Sequence, residues 1–421
     1  MIILSLLSLF NILSLSIQTD GSLEISDLFI KQLIFILAGW GIYIFLSRNN
    51  YSLLKYPQVN IILYVATIFL LLATLLWGPV INNTQRWLIF GEFQFQPAEL
   101  AKLTMILFTA SLFVFRSKFN EYFLLVASFA ILVPILAMIY LQPHGSMSLM
   151  LLLTWAFLVF TVMKNQFRNF LFLAILLSSA IGILSILLGQ VGYGLISIAI
   201  LFVLLTFTFY ARENWRKMIG VSTLVGLLLG IMISITWNSI LLDYQKERIN
   251  AFFNPTETSQ DLGFNVDQSR VAIGSGRMFG KGWGFGTQSK LQFLPEYQTD
   301  FVFAAFSEEF GFIGSFVLIA LYLTIISLIL FYAFKSSSLS FEFVVLTGIG
   351  IKIFLEVFVN IGTNTGVIPA TGVPLPLMSV GGTSILLFFF SLGLVQSIIS
   401  NNVDRYKELS YSYIDNDEVL I

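Results

Sequence analysis

The stretch PQVNIILYVATIFLLLATLLW (57–77) contains no charged side chain and is long enough to cross a lipid bilayer as one helix. About 20 apolar residues are needed for such a crossing, because the hydrocarbon core is about 30 Å thick. Runs of the same kind recur along the chain. We therefore predict an all-α polytopic membrane protein, with about twelve transmembrane helices in a single integral membrane domain over residues 1–421. The predicted spans are 2–17, 28–47, 57–77, 98–115, 120–141, 146–163, 169–188, 191–211, 218–241, 302–334, 343–361 and 380–399.

The composition agrees with a membrane protein. Of the 421 residues, 57% are hydrophobic and 11% are charged. This charged share is less than half of that in soluble domains, which excludes soluble globular, disordered and fibrous classes. The chain has no cysteine, so a disulfide framework, a thiol nucleophile and a thiolate metal site are excluded. His144 is the one histidine, which excludes a His-rich metal cluster, and a net charge of −1 gives no reason to expect a nucleic-acid partner.

Two regions of the apolar pattern have alternative interpretations. The run 2–17 lacks the basic start and the small-residue cleavage site of a secretory signal, so we interpret it as a retained span. Residues 169–211 are interrupted only at Gly189–Gly194, and they form either an extra helical hairpin of two spans or a shallow re-entrant feature. We favour the hairpin.

Lysine and arginine residues predict the orientation of the spans. They occur in every second short connection, and an excess of them marks the cytoplasmic side of multi-pass proteins. With the basic side inward, both termini are cytoplasmic and the long polar segment 242–301 is a large extracytoplasmic loop. The basic residues of this alternation are Arg48, Lys55, Arg116, Lys118, Lys164, Arg168, Arg212, Arg216, Lys217, Lys335, Arg405 and Lys407.

The segment 242–301 contains candidate groups for phosphate binding and acid–base chemistry. Six glycines between 274 and 286 allow a close approach of backbone to ligand, and exposed N–H groups there would bind an anion. Lys281 adds the charge that a lipid-linked pyrophosphate requires. Glu257 and Asp261 are candidates for the general base that deprotonates an attacking sugar hydroxyl. The competing explanations are a flexible loop and solvated loop charges.

Charged residues inside predicted spans occur at helical spacing. Glu99 and Lys102 are three residues apart after Pro97, and Lys352 and Glu356 are four apart, so each pair lies on one helix face. Charges at membrane depth are costly and usually face the protein interior in pairs. Each pair is therefore either a structural clamp or a substrate-facing group. Glu308 and Glu309, at the start of the span 302–334, raise the same choice.

The segment 362–383 contains three prolines and several glycines, which preclude a regular helix. Non-helical backbone near a membrane needs protein cover or a watery cavity. We expect this segment, called the lip below, to fold over the outer face beside the long loop.

Three long stretches identify a family resemblance: TQRWLIFGEFQFQPAELAK (84–102), IGSGRMFGKGWGFGTQSKLQFLPEYQTDFVFAAFSEEFGFIG (273–314) and VNIGTNTGVIPATGVPLPLMSVGGTS (359–384). They resemble the SEDS proteins, the RodA and FtsW polymerases of bacterial cell-wall synthesis, and occur in the family's order. The resemblance covers nearly the whole chain, with 168–212 the least supported part. The motif GTQSKLQFLPE (286–296) is more similar to the RodA (elongation) branch than to the FtsW (division) branch.

The resemblance implies a peptidoglycan glycosyltransferase in the bacterial cytoplasmic (inner) membrane. Such enzymes polymerise lipid II into glycan strands on the outer face and release undecaprenyl pyrophosphate. Their partner is a class B penicillin-binding protein, which crosslinks the strands, and they work among membrane lipids without nucleic acid. An outer-loop aspartate is thought to be the base. No metal site is implied, although diphosphate chemistry leaves a divalent cation open.

The chain departs from the family pattern in three places. The family aspartate directly before proline is absent, and an ungapped match puts Thr258 at its position. A small shift of the loop brings Asp261 into the role, and we favour it ahead of Glu257. His144 stands where the family has aspartate. The family usually has ten spans, and 169–211 accounts for the two more that this chain has.

The remaining site residues follow from the resemblance position by position. Arg86, Arg248 and Lys281 match basic positions of the family, and we expect them to hold pyrophosphate. Glu99 and Lys102 shape the cavity, and Ser379 belongs to the lip motif together with Pro374 and Pro376. Acidic residues of the LPE, TDF and EE motifs organise the loop. The predicted substrate-binding residues are Arg86, Arg248, Lys281, Glu99, Lys102, Asp300, Glu309 and Ser379.

Other functions compete with polymerisation. A transporter that flips a lipid-linked precursor would use the intramembrane charges as a polar pathway, although we see no paired repeat typical of transporters. An inactive homologue would act as a scaffold for a penicillin-binding protein, as the missing aspartate allows. A polymerase or ligase for another lipid-linked glycan would share the layout but not the three stretches.

Overall fold

The computed structural model describes residues 1–14, 26–81, 84–91, 93–164, 166–187, 191–211, 219–220, 222–228, 230–231, 252, 262–290, 293–338 and 340–418. Three predicted site residues, Arg248, Glu257 and Asp261, lie outside the described residues, as does most of the predicted span 218–241.

The described ranges are almost entirely helical. A two-stranded antiparallel ribbon, β1 (Leu88–Phe90) and β2 (Phe93–Phe95), precedes the fourth helix, and a short 3-10 helix precedes the third. The α-helices are α1 (Ile2–Ser14), α2 (Asp27–Arg48), α3 (Pro57–Trp77), α4 (Pro97–Phe113), α5 (Glu121–Leu141), α6 (Gly145–Val162), α7 (Gln166–Leu187), α8 (Val191–Ala211), α9 (Leu262–Ser275), α10 (Thr287–Lys290), α11 (Val302–Lys335), α12 (Phe341–Asn364) and α13 (Gly382–Glu418).

Local sequence explains where several of these helices begin. Ser26 and Ser340 accept hydrogen bonds from the backbone N–H groups of Phe29 and Phe343, which satisfies free donors in the first turns of α2 and α12. α3 and α4 begin with proline, whose fixed φ suits the first helical position. The observed bounds agree with the predicted spans to within a few residues, except that α13 continues to Glu418, well beyond the predicted end at 399.

Eight helices in the described ranges are long and apolar enough to cross a membrane: α2, α3, α4 with the 3-10 turn Val114–Ser117 that follows it, α5, α6, α11, α12 and the first part of α13. Shorter apolar helices coincide with the predicted spans 2–17, 169–188 and 191–211. The all-α polytopic class is therefore confirmed, and the total of twelve spans stays a prediction.

The chain divides into two compact units, 1–158 with 248–421 and 159–247. The prediction of a single integral membrane domain is not tested by this division. In the first unit, α12 and α4 are the central helices, because 78% and 72% of the residues in their most apolar 18-residue stretches are buried. By contrast, α2 buries 17% and α3 buries 28%, so these helices present most of their surface outward.

The second unit contains the predicted extra hairpin. α7 and α8 pack antiparallel, with Leu171, Phe172 and Ile175 against leucines of α8. Between them, the Ser178 hydroxyl donates a hydrogen bond to the Ser197 carbonyl at 2.7 Å. The structure thus forms two helices here, and their assignment as two membrane spans stays a prediction.

Candidate functional site

Four charged side chains form a buried cluster between α4 and α12, called the charge cluster below. The Lys102 ammonium lies 2.9 Å from the Glu99 carboxylate and 2.5 Å from Glu356. The Lys352 ammonium lies 3.1 Å from the other oxygen of Glu356. All four residues are at most 4% exposed. The two pairs that the sequence predicts separately are therefore a single network of two cations and two anions.

Close packing of α4 on α12 brings these charges together. Gly348 faces α4, and a Cβ there would lie 2.6 Å from a methyl group of Ile106. The absent side chain allows the two helices to approach, so that Lys102 reaches Glu356. Glu99 also lies in the first turn of α4, where the helix dipole favours a negative charge.

The polar face of α12 continues from the charge cluster to the end of the helix. Asn360 and Asn364 follow Glu356 at spacings of four and eight, and both carboxamides donate to the Asp300 carbonyl at 2.9 Å. Asn360 also donates to the Val373 carbonyl in the lip at 2.8 Å. Sequence reasoning did not single out these asparagines. The spacing of four that they share with Lys352 and Glu356 was the available signal.

The lip packs against the end of the long loop, as predicted. The Ser379 hydroxyl donates to the Thr299 carbonyl at 2.5 Å and accepts from the Leu375 N–H at 2.8 Å. The Val380 N–H donates to the Gln298 carbonyl at 2.9 Å. These bonds place Ser379 beside the backbone of residues 298–300, so two predicted substrate-binding residues, Ser379 and Asp300, belong to one neighbourhood.

Arg86 lies at a second meeting point, where the turn between α5 and α6 reaches the start of α4. Its guanidinium donates to the carbonyls of Gln142 and Pro143. The imidazole of His144 is 3.5 Å from the Gln96 carboxamide. The Gln96 N–H donates to the Thr383 hydroxyl at 3.1 Å, which ties this region to the first turn of α13. Arg86 is therefore near the ends of α4 and α13, and its role in pyrophosphate binding stays a prediction.

The glycine series 274–286 differs from our expectation of an anion-binding backbone. The N–H groups of Lys281 and Gly282 donate to the carbonyls of Glu308 and Glu309 at 2.9 and 3.0 Å. Gly280 and Gly311 adopt φ values of 81° and 67° and pack backbone against backbone. These two N–H groups are therefore occupied by carbonyl groups, where Gly280 makes a close contact with a break in α11. Anion binding by the other N–H groups of the series stays a prediction.

Lys281, which lies within the glycine series, forms an ion pair with Glu308. The ammonium lies 2.5 Å from the carboxylate and 2.7 Å from the Thr287 hydroxyl. The same carboxylate accepts from the N–H groups of Thr287 and Gln288 at 2.9 and 3.1 Å. Glu308 is fully buried and Glu309 is 2% exposed. Sequence reasoning gave a substrate-binding role to Glu309 alone, whereas the structure gives the ion pair with Lys281 to Glu308.

The described part of the loop is anchored beside the lip. α9 begins directly after Asp261, and its Ser269 hydroxyl donates to the Asn364 carbonyl at 2.8 Å. Arg270 lies beside Gly366, where a Cβ would be 3.0 Å from the arginine side chain. The candidate bases Asp261 and Glu257 and the cation Arg248 lie outside the described residues, so their predicted roles are not tested.

These features define a class of protein: a polytopic α-helical membrane protein with a buried cluster of charged residues. Polar residues of α12 connect this cluster to the loops at one end of the helices. A family model described as "Cell cycle protein", for FtsW, RodA and SpoVE, matches residues 1–192 and 183–404. The chain belongs to this family, and the predicted SEDS membership is confirmed.

Individual relatives agree with the family match. The peptidoglycan glycosyltransferase MrdB of Escherichia coli K12 is 34% identical over 341 residues, which cover 80% of this chain and 76% of MrdB. The peptidoglycan glycosyltransferase RodA of Treponema pallidum is 29% identical over 94% of this chain and 95% of its own. A chain solved in work on the structural coordination of polymerization and crosslinking by a peptidoglycan synthase complex has a TM-score of 0.65. It is 24% identical, over 95% of this chain and 96% of its own, and shows the shared fold.

Proposed function

We propose that the protein is a peptidoglycan glycosyltransferase that polymerises lipid II into glycan strands for cell elongation and shape. A sugar hydroxyl of one lipid-linked disaccharide attacks the anomeric carbon of another, and undecaprenyl pyrophosphate leaves. The names of MrdB and RodA support this activity, and the resemblance of GTQSKLQFLPE to the RodA branch supports elongation over division.

One observation carries the proposal: the three stretches 84–102, 273–314 and 359–384 meet in space. Gln96 bonds to Thr383, which joins the first stretch to the third. Asn360 bonds to the Asp300 carbonyl, which joins the third to the second. Residues so distant in sequence are brought into contact near the end of α12, where loops can receive a substrate. Glu356 of the charge cluster lies about two turns of helix before the end of α12.

The proposed roles follow from the chemistry of the reaction. Asp261, or Glu257 in its place, accepts the proton of the attacking hydroxyl. Arg86, Arg248 and Lys281 neutralise the pyrophosphate, since ionised donors bind phosphate oxygens strongly. A divalent cation would assist the leaving group and would take oxygen ligands. Within the described ranges, no cluster of three His, Cys, Asp or Glu residues forms a metal site.

The distribution of basic residues supports an extracytoplasmic site. At the opposite end of the helices, the Lys55 ammonium lies 2.5 Å from Glu342 and the Arg116 guanidinium donates to the Ser338 carbonyl. These contacts gather the basic connections at one face, which the positive-inside rule assigns to the cytoplasm. The lip then lies outside the inner membrane, where lipid II is polymerised and where a class B penicillin-binding protein would meet the new strand.

Polymerisation of lipid II by the purified protein, with and without its class B penicillin-binding protein, tests the proposal. We expect Asp261→Ala to lower the rate by about 100-fold or more, the usual contribution of a general base. Asp267→Ala is the matched control, because Asp267 is an exposed acid of α9 in the same loop. Activity that survives both Asp261→Ala and Glu257→Ala would refute the loop base. The same assay with a metal chelator tests whether polymerisation requires a divalent cation.

The same preparation separates the alternatives. Translocation of lipid II in proteoliposomes without any polymer would favour a flippase. Stimulation of the penicillin-binding protein without polymerisation would favour a scaffold. The names of the relatives favour the polymerase over both.

A further inference from the structure

The lip contains a strained turn at Pro376–Leu377. Leu377 has a φ of 67°, in the left-handed region where the Cβ of a residue other than glycine is crowded. The residue is fully buried. Strain of this kind persists only where the surrounding structure over-determines the conformation, and it occurs preferentially at functional sites.

Three side chains from three helices hold this turn through two carbonyl groups. The Tyr322 hydroxyl of α11 donates to the Pro376 carbonyl at 2.5 Å. The Ser8 hydroxyl of α1 donates to the Leu377 carbonyl at 2.7 Å, and the Gln32 carboxamide of α2 donates to the same carbonyl at 3.3 Å. Gln32 also donates to Ser8 at 2.9 Å. All three side chains are fully buried, so these bonds are shielded from water.

The turn transmits this constraint to the end of the long loop. Two residues after Leu377, the Ser379 hydroxyl is bonded to the Thr299 carbonyl. The next carbonyl along the loop, that of Asp300, is bonded to Asn360 and Asn364 of α12. Through these bonds, we expect a displacement of Leu377 to move Ser379 and the backbone of residues 298–300.

We propose that Tyr322, Gln32 and Ser8 are positioning residues, which fix the lip so that Ser379 and Asp300 present a constant surface to a lipid-linked glycan. The three side chains act on the substrate through the backbone carbonyls of Pro376 and Leu377. This role rests on the proposed polymerase function, whereas the mechanical link between the turn and residues 298–300 does not.

Tyr322→Phe tests the role by removing one hydroxyl and no packing volume. We expect the KM for lipid II to rise about 2- to 10-fold, the range that one lost hydrogen bond gives, with kcat changed less than about 2-fold. Tyr64→Phe is the matched control, because the Tyr64 hydroxyl also donates to a backbone carbonyl, that of Ile131, at 2.8 Å between α3 and α5. A purely structural hydroxyl would lower stability in both variants and leave KM unchanged in both.

Hydrogen exchange of the full-length protein tests the mechanical link without any activity. In Tyr322→Phe, the protection of the amides of Leu375, Ser379 and Val380 should fall by about 2- to 10-fold, together with that of residues 298–301. Tyr64→Phe should leave both segments unchanged. Gln32→Leu should give the same pattern from a different helix, which guards against a folding defect in one variant.

The outcomes are distinguishable. Unchanged exchange in both Tyr322→Phe and Gln32→Leu would overturn the positioning role. Faster exchange with an unchanged KM would show a link that does not reach the substrate, and would also overturn it. A wild-type protein that makes no polymer, but whose variants show the coupled exchange, would refute the polymerase while leaving the link intact.

Discussion

The charge cluster and the Lys281–Glu308 pair are both buried ionic contacts, yet they are built differently. In the cluster, Lys102 on α4 meets Glu356 on α12, 254 residues away, and the partners are other side chains. Glu308 instead accepts two backbone N–H groups besides Lys281, whose side chain is 27% exposed. The first contact joins central helices in a dry interior, and the second closes a loop at the edge. Removal of a charge should therefore cost more in the first.

Lys102→Met should give the largest loss. It leaves the Glu99 and Glu356 carboxylates buried with Lys352 as the remaining cation of the cluster, and an unpaired buried charge costs about 3–5 kcal/mol. Thermal unfolding in detergent measures the loss. Lys352→Met is the matched control on the neighbouring helix, and a smaller effect is expected because Lys352 pairs with Glu356 at the longer distance of 3.1 Å. Equal losses in the two variants would contradict this ordering.

Glu308→Gln should give an intermediate and local loss. The amide oxygen can still accept from the Thr287 and Gln288 N–H groups, but the ion pair with Lys281 is gone, so we expect about 1–3 kcal/mol. Limited proteolysis should then cut within 280–290 faster than in the wild type. Glu296→Gln serves as the control, since its carboxylate accepts from Thr299 at the exposed surface. Unaltered cleavage would mean that Glu308 does not close the segment.

Lys55→Met should give the smallest loss of stability, and it extends the comparison to a solvent-exposed ion pair. Lys55 lies 2.5 Å from Glu342, but its side chain is 43% exposed and Tyr51 also donates to Glu342. Screened surface pairs contribute about 0–1 kcal/mol. The unfolding temperature should change little, and high salt should remove the difference from the wild type. A loss as large as that of Lys102→Met would contradict the distinction between dry and exposed pairs.

Much of the membrane architecture was predictable, because a segment inside a bilayer must satisfy its backbone hydrogen bonds internally. A long apolar segment therefore has few alternatives to a helix. The helix bounds agree with the apolar runs except at the end of α13, and the spacing of Glu99 with Lys102 and of Lys352 with Glu356 identified both pairs. The spacing did not reveal that the two pairs are one cluster. Nor did it predict Glu308 as the partner of Lys281, since this pairing depends on the packing of the backbone at 276–282 against the backbone at 307–311.

The sequence by itself determined the helices, the family and the identity of the charged residues, because these depend on the length of apolar runs and on the sequences of the motifs. Only the tertiary structure decided which charges neutralise one another, which glycine N–H groups are occupied, and that Tyr322, Gln32 and Ser8 hold the lip. The reason is geometric: a hydrogen bond or ion pair acts over about 3 Å, and residues tens or hundreds of positions apart reach that distance only through helix packing.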